Sequence, residues 1–401
     1  MCNKTFTGVL LFSMMTLMAL PAHADDWPFW RGADGTGVSS ETDWVVDGKA
    51  DPVWSTNVGL GYSSFVISEN RLLTMGFDEE ESLDSIYCFE AESGKSIWKH
   101  SFPSELNDKY HTGGTLSTPT IDDDRVYALG REGLLFCLQI SDGKVLWEKN
   151  LMEKFDLELP TWMFSAAPLI LGEVVYINVG RTLALNKRTG EPIWQTDKTG
   201  YAYSTPFPFD FNGRACLLVF NSDGLFVFDK ADGQPIASYE WKTQYDMNID
   251  TPLVIGNRIF ITSGLNRGCA LLEMTDDGLN VVWENKVMRS EMTGVTLWDG
   301  HIYGFDDKIL KCMDLDGNEQ WRMRGFGMGA LTIANGKLLV ITAKGDLIIA
   351  DASPGGFAEL SRTQVLKGGT YWTMPVLANG LIYVRNSNGD VVCRDHREAQ
   401  N

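Results

Sequence analysis

Short runs rich in Val, Ile, Leu, Phe and Tyr recur along the whole chain, punctuated by Asp-Gly, Ser-Gly and Thr-Gly turns. Runs of that length and residue type between glycine turns predict β-strands rather than helices. One segment repeats: Ala91-Glu-Ser-Gly94-Lys-Ser-Ile-Trp98, Ile140-Ser-Asp-Gly143-Lys-Val-Leu-Trp147 and Lys187-Arg-Thr-Gly190-Glu-Pro-Ile-Trp194. The series continues with Ala237 in the Trp place after Gly233, Trp283 one residue late after Gly278, and Trp321 after Gly317. Successive turns between Gly94 and Gly317 lie about 45 residues apart, enough for four short strands and their turns.

Each unit also opens alike, with Ser117-Thr-Pro119, Ser165-Ala-Ala-Pro168, Ser204-Thr-Pro206, Asp250-Thr-Pro252 and Thr373-Met-Pro375. Proline suits the first strand position, where its missing N–H costs least. Each unit therefore reads as a four-stranded antiparallel blade. Openings near Ser63, Ser117, Ser165, Ser204, Asp250, Thr293, Gly329 and Thr373 count eight units. Seven remains the alternative, because Ser353-Pro-Gly-Gly356 has no Trp four residues on. The last unit lacks a Gly-turn-Trp strand, and Pro52-Val-Trp54-Ser-Thr-Asn-Val58 is a spare one. That shortage and that surplus predict an all-β, eight-bladed β-propeller of four-stranded blades, its ring closed by the N-terminal strand so that no open edge remains.

These Thr-Gly-x-x-x-Trp turns and strand openings resemble the tryptophan-docking repeat of pyrroloquinoline-quinone (PQQ)-type β-propellers, over roughly residues 52–398. The head of the chain, Asp26-Trp27-Pro-Phe-Trp30-Arg31-Gly32 and then Gly35-Thr-Gly37-Val-Ser, resembles the leader of exported PQQ-like repeat proteins. In plan the propeller is similar to the BamB family of outer-membrane assembly factors. That resemblance implies a scaffold with a protein partner in the cell envelope. Quinoprotein dehydrogenases, the alternative, imply bound PQQ, an adjacent cysteine pair and a calcium set; no Cys-Cys occurs here. No cofactor and no metal are expected unless that alternative holds.

Residues 1–24 carry Lys4, an apolar run from Phe6 to Leu20 and an Ala22-His-Ala24 triplet, the pattern of a cleavable secretory signal. The run is too short to span a bilayer as a helix. The organisation expected is therefore a signal peptide at 1–24, a leader at 25–51 and a propeller at 52–401, in a periplasmic or secreted monomer. The whole chain has 34 Lys+Arg against 53 Asp+Glu, a net charge of -19. A phosphate-backbone ligand needs the opposite balance, so nucleic acid is excluded as a partner.

Catalytic signatures are missing. Neither a Gly-x-Ser-x-Gly elbow nor a P-loop occurs, and His100, His111, His301 and His396 lack zinc spacing. Asp314-Leu-Asp-Gly317-Asn-Glu319 coincides with a blade turn rather than a calcium loop, and the acidic runs at 78–81 and 122–124 read as solvated turns. Cys88, Cys137, Cys312 and Cys393 sit at equivalent places in separate repeats and cannot all meet. Cys216 and Cys269 lie on neighbouring units, and spacing leaves their pairing open.

The tryptophan column, Trp54, Trp98, Trp147, Trp194, Trp283 and Trp321, is expected to fill the space between blades. Residues just before each opening enter the innermost strands and should ring one mouth of the central channel. They are Tyr62, His111, Trp162, Phe164, Tyr201, Tyr203, Tyr245, Asp250, Tyr371 and Trp372. Aromatic groups with a polar end are enriched where proteins hold partners or flat ligands. This set is the expected binding surface, for a protein, an extended ligand or a glycan; a plug of the channel is the competing role.

Overall fold

The computed structural model describes residues 26–109, 111–201 and 203–398; the signal segment at 1–24 lies outside them. Eight antiparallel sheets follow one another around a ring. Blades 1 to 6 span 66–103, 120–150, 169–195, 207–240, 253–285 and 295–323. Blade 7 spans 330–364 and gains a fifth strand, Val38–Ser39, parallel to Ala330–Ala334. Blade 8 consists of Val376–Ala378, Leu381–Arg385, Asp390–Asp395 and, as its outermost strand, Trp54–Asn57. The count of eight and the closure by the Trp54 strand are both as the sequence predicts. Among the described residues the helical segments are one five-residue α-helix, Leu151–Phe155, and one 3₁₀ turn, Gln244–Asp246.

Burial explains the strand composition. Middle strands such as Lys337–Ile341 and Leu134–Gln139 are covered on both faces by neighbouring blades and are apolar almost throughout. Outermost strands such as Pro235–Glu240 face solvent on one side and alternate.

The repeated Gly-x-x-x-Trp has a single geometric cause. Each indole crosses to the next blade and donates its Nε1–H to a carbonyl at that blade's turn. Trp54 reaches Ala91 at 2.8 Å, Trp98 reaches Ile140 at 2.8 Å, Trp147 reaches Lys187 at 3.0 Å, and Trp194 reaches Lys230 at 3.2 Å. Trp283 and Trp321 do the same with Leu315 at 2.9 Å and Ser353 at 2.7 Å. The turn glycine lies under that indole in the left-handed region. A Cβ on Gly94 would stand 2.5 Å from Trp54, and one on Gly143 would stand 2.7 Å from Trp98. Where Ala237 replaces the Trp, the Gly278 turn meets only its methyl group, and the outermost strands of blades 4 and 5 pack directly on each other. In blade 7 the Trp position holds Ser361, whose hydroxyl donates to Val46 of the leader.

Gly94→Ala is therefore expected to cost at least about 2 kcal/mol, combining a left-handed alanine with overpacking against Trp54. Gly213 has φ +80° and nothing within 4 Å of a built Cβ, so Gly213→Ala carries only the conformational cost, about 1 kcal/mol. Urea unfolding of the two variants measures the difference. Equal losses would mean that the turn glycine does not seat the indole.

The six described cysteines are buried free thiols, Cys216 and Cys269 included. Cys88, Cys137, Cys312 and Cys393 face Trp98, Trp147, Trp321 and Trp54 across their ladders. Burial pushes the Cys88, Cys269 and Cys393 thiols up to about 12, which keeps them protonated and unreactive.

The leader does more than precede the propeller. Trp27 pairs with Ile67 of blade 1, Pro28 accepts from the Ile121 N–H of blade 2, and Phe29 packs on Leu169 of blade 3. Gly35 lies against Phe207 of blade 4, and Trp30 donates to Thr251 of blade 5 at 3.3 Å. Arg31 donates to the Val295 carbonyl of blade 6 at 2.5 Å; Val38–Ser39 joins blade 7; Glu41 accepts from Gly380 and Trp44 bridges to Arg397 in blade 8. Residues 26–44 thus touch every blade and plug the channel. Ring closure is locked a second time by Arg385 of blade 8. Fully buried, it donates to Ser63 O, Thr74 Oγ1 and Met75 O near blade 1, at 2.8 to 2.9 Å.

Candidate functional site

The strand openings build one mouth of the channel by stitching neighbouring blades through hydroxyl groups. Thr118 Oγ1 accepts from Ser64 N at 2.9 Å, Ser117 Oγ donates to Ala166 O at 2.9 Å, Ser165 Oγ donates to Tyr203 O at 2.9 Å, and Thr373 Oγ1 donates to Tyr62 O at 3.1 Å. The repeated Ser and Thr before each Pro are thus structural, and they fix the backbone from which the mouth side chains project.

At the openings of blades 1 to 6 and 8 lies a cavity of about 760 Å³, with Trp30 of the leader among its lining residues. Six of the ten residues expected at the mouth line it: Tyr62, His111, Trp162, Tyr203, Tyr245 and Trp372. Tyr62 stacks on Trp372, ring centroids 4.8 Å apart and planes 20° from parallel. His111 meets Tyr62 edge-on at 5.5 Å, and Trp162 stacks on His111 at 6.4 Å. The four rings form one continuous arc. Tyr62 Oη is fixed by Thr112 at 2.8 Å.

Four of the expected residues lie elsewhere. Phe164 and Tyr371 are each 1% exposed and belong to the hydrophobic core. Tyr201 turns into a second, more polar hollow of about 330 Å³ beside the first. Asp250 is buried, one of its oxygens accepting the Gly294 N–H at 3.0 Å, with the Arg31 charge nearby. Tyr371 turns into the core while its neighbour Trp372 lines the cavity. The pair Trp162 and Phe164 would share a face in an extended strand, but the intervening Met163 has φ +61° and breaks the alternation.

That Met163 angle is part of a pattern. Among the described residues, left-handed positions other than glycine are held by Asn, Asp, Ser or Glu, with four exceptions: Arg31, Met163, Tyr245 and Leu265. Tyr245 and Leu265 line the cavity, Met163 follows Trp162, and Arg31 follows Trp30. Bulky side chains in that region store about 1–3 kcal/mol of strain each, and such strain clusters at functional sites. The sequence reading missed Trp30, Asp246, Met247, Ile249, Leu265, Glu291 and Met292, which also line the cavity. They come from the leader, from the connections on either side of blade 5 and, for Leu265, from a turn within it; Met247 and Ile249 precede the same Asp250-Thr-Pro252 opening as Tyr245.

The electrostatics are one-sided. Asp246 and Glu291 line the cavity, and among the described residues no lysine or arginine does. Burial, with Asp307 nearby, raises the Glu291 carboxyl above its ordinary value, against the pull of Lys308. Burial and the Arg131 charge lower the His111 imidazole, and its Nδ1 accepts the Gly113 N–H at 3.0 Å, so the ring is neutral at pH 7.

Below the cavity, burial raises the Asp250 carboxyl to about 6, despite the Ser290 hydroxyl and the Arg31 charge. The folded state then binds the proton more tightly than the unfolded chain, so this group's contribution to stability falls as pH rises from about 4 to about 6. Comparing Asp250→Asn with the parent, the stability difference is expected to move in the variant's favour by up to about 3 kcal/mol across that window. Urea titrations at a series of pH values check it. A difference independent of pH would contradict the burial argument.

PQQ, the cofactor implied by the alternative reading, is a tricarboxylate. It needs cationic side chains or a metal ion opposite its acid groups. Here the lining supplies two carboxylates, and among the described residues no cluster of three or more His, Cys, Asp or Glu could hold an ion. The residues do not fit that group.

Eight four-stranded blades, six of them docked through a tryptophan, define a PQQ-like β-propeller. A family model described as outer membrane protein assembly factor BamB matches residues 82–321. The chain belongs to that family. BamB of Yersinia pestis is 25% identical over 326 residues, covering 74% of this chain and 77% of the relative. The crystal structure of BamB from Moraxella catarrhalis superposes with a TM-score of 0.63 at 18% identity, covering 88% of this chain and 99% of that one. Quinohemoprotein alcohol dehydrogenase from Comamonas testosteroni gives 0.71 at 13% identity, covering 94% and 82%. At those identities the two structures speak for the fold alone.

Proposed function

We propose that this chain is an exported, non-catalytic scaffold of the cell envelope that docks a protein partner at its channel mouth, in the assembly of outer-membrane proteins that its family's description names. The observation that carries this reading is the cavity with its aromatic arc of Trp372, Tyr62, His111 and Trp162. Large amphipathic rings in a concave, partly desolvated site are what interface hot spots are made of. The leader crosses the inner strands and openings of the blades, which favours a docking surface over the entrance of a conduit. We read the signal pattern at 1–24 as export to the periplasm or outside the cell, and take the protein as a monomer there. Among the described residues no helix is long and apolar enough to cross a membrane.

The two alternatives are weaker. The dehydrogenase reading fails on the lining chemistry given above. A glycan would find rings to stack on, but the aromatic arc alone favours it.

The test is capture from envelope extract with tagged protein comprising residues 25–401, followed by mass spectrometry. An envelope protein retained by the parent and lost with Trp162→Ala supports the reading. Equal retention by that variant contradicts it.

A further inference from the structure

The mouth cavity combines three properties that together specify the chemistry of its occupant. The first is charge. Asp246 and Glu291 line the cavity from the connections on either side of blade 5, and among the described residues neither carboxylate is engaged in an ion pair. Lys308 acts on Glu291 from outside the lining, Lys242 pairs with Asp223, and the two buried arginines beside the cavity are spent internally. Arg31 is 1% exposed and donates to the carbonyls of Gly35, Thr36 and Val295. Arg131, behind His111, is 2% exposed, pairs with Asp84 at 3.0 Å and lies over the Phe77 ring. His111 is neutral. The cavity lining therefore carries two carboxylates and no cation of its own among the described residues, which rejects anions and attracts cations.

The second property is its walls. Trp30, Tyr62, Trp162, Tyr203, Tyr245 and Trp372 all line the space, and aromatic faces attract a cation through their quadrupole. A guanidinium is favoured over an ammonium on two grounds. It is planar and stacks on indole and phenol rings, and its donors spread in a fork that can serve two carboxylates held on separate segments. An ammonium is compact and holds its water more strongly.

The third is the rim. Tyr245 is 63% exposed, and Asp246 and Thr161 beside it are also exposed. The site opens to solvent along one side, so its occupant can be the side chain of a longer segment rather than an enclosed small molecule. The chain's net charge of -19 steers a basic segment toward it.

We propose that the cavity seats an arginine side chain of the docking partner, its guanidinium held between the aromatic arc and the Asp246 and Glu291 carboxylates. The assignment rests on the reading of the mouth as the docking face. Neither carboxylate belongs to the core, so Asp246→Asn/Glu291→Gln should melt as the parent does.

The test is calorimetric titration of the protein with acetyl-Gly-Arg-Gly-amide and with its citrulline counterpart, which has the same shape without the charge. The arginine peptide is expected to bind about tenfold more tightly than the citrulline peptide, and the carboxylate double variant should abolish that preference. Equal binding of the two peptides, saturation by neither, or a preference that survives in the double variant overturns the assignment. Capture from envelope extract separates the two levels of the account. If the double variant retains the partner while Trp162→Ala loses it, docking at the mouth stands and the arginine falls. If Trp162→Ala retains it as well, both fall.

Discussion

Deleting residues 25–60 is expected to leave a chain that no longer melts cooperatively. The deletion removes the outermost strand of blade 8, Trp54–Asn57, exposing the Asp390–Asp395 strand as an unpaired edge. With it go the plug and its buried rings, Trp27, Phe29 and Trp44, together with the Trp54 indole that docks on blade 1. Truncating one such buried aromatic costs about 3–5 kcal/mol. Four of them approach or exceed the roughly 5–15 kcal/mol that holds an ordinary domain together. Arg385 would lose the closed ring that surrounds it, and Asp250 would lose the nearby charge of Arg31. Differential scanning calorimetry of the deleted protein is the check. A cooperative transition at the full-length temperature would mean that neither the strand nor the plug closes the ring.

Trp147→Ala is expected to lower stability by about 3 kcal/mol, the low end for truncating a packed aromatic, because the indole is half-buried between blades. Its indole donates to Lys187 O at 3.0 Å and covers the Gly190 turn of blade 3, where a built Cβ would come within 2.9 Å of it. The alanine leaves a slot between blades 2 and 3 that rigid sheets cannot close. Chemical denaturation measures the loss. A cost under about 1 kcal/mol, the range of a surface substitution, would show that the column decorates the ring rather than holding it.

The fold was legible because its determinants are local and repeated. A turn glycine and a Trp a few residues later are neighbours in sequence, although they act on adjacent blades: Gly143 seats Trp98, and Trp147 then docks on the turn of Gly190. The spare Trp54 strand was legible as the complement of a shortage elsewhere. The course of the leader was not, since Trp27, Trp30 and Arg31 find partners in blades 1, 5 and 6 that no spacing reveals. Nor was Val38–Ser39 as a fifth strand of blade 7, because a two-residue pairing leaves no periodic trace. At the mouth, counting back from each Pro found the aromatic arc. It also gathered Phe164, whose side is set by the left-handed Met163, and Tyr371, which faces the core. The carboxylates Asp246 and Glu291 were missed because they sit in connections where sequence carries no strand register.

The central claim is that the mouth rings serve binding, whereas the outer tryptophans serve the ring of blades. Affinity for the captured partner, measured beside the thermal melts of Trp162→Ala and Trp372→Ala, tests it most directly. Each variant is expected to lose about 2 kcal/mol of binding, roughly thirtyfold in affinity, while melting close to the parent. Variants that bind as the parent does but melt far lower would make these residues part of the plug, and would move the docking surface off the mouth.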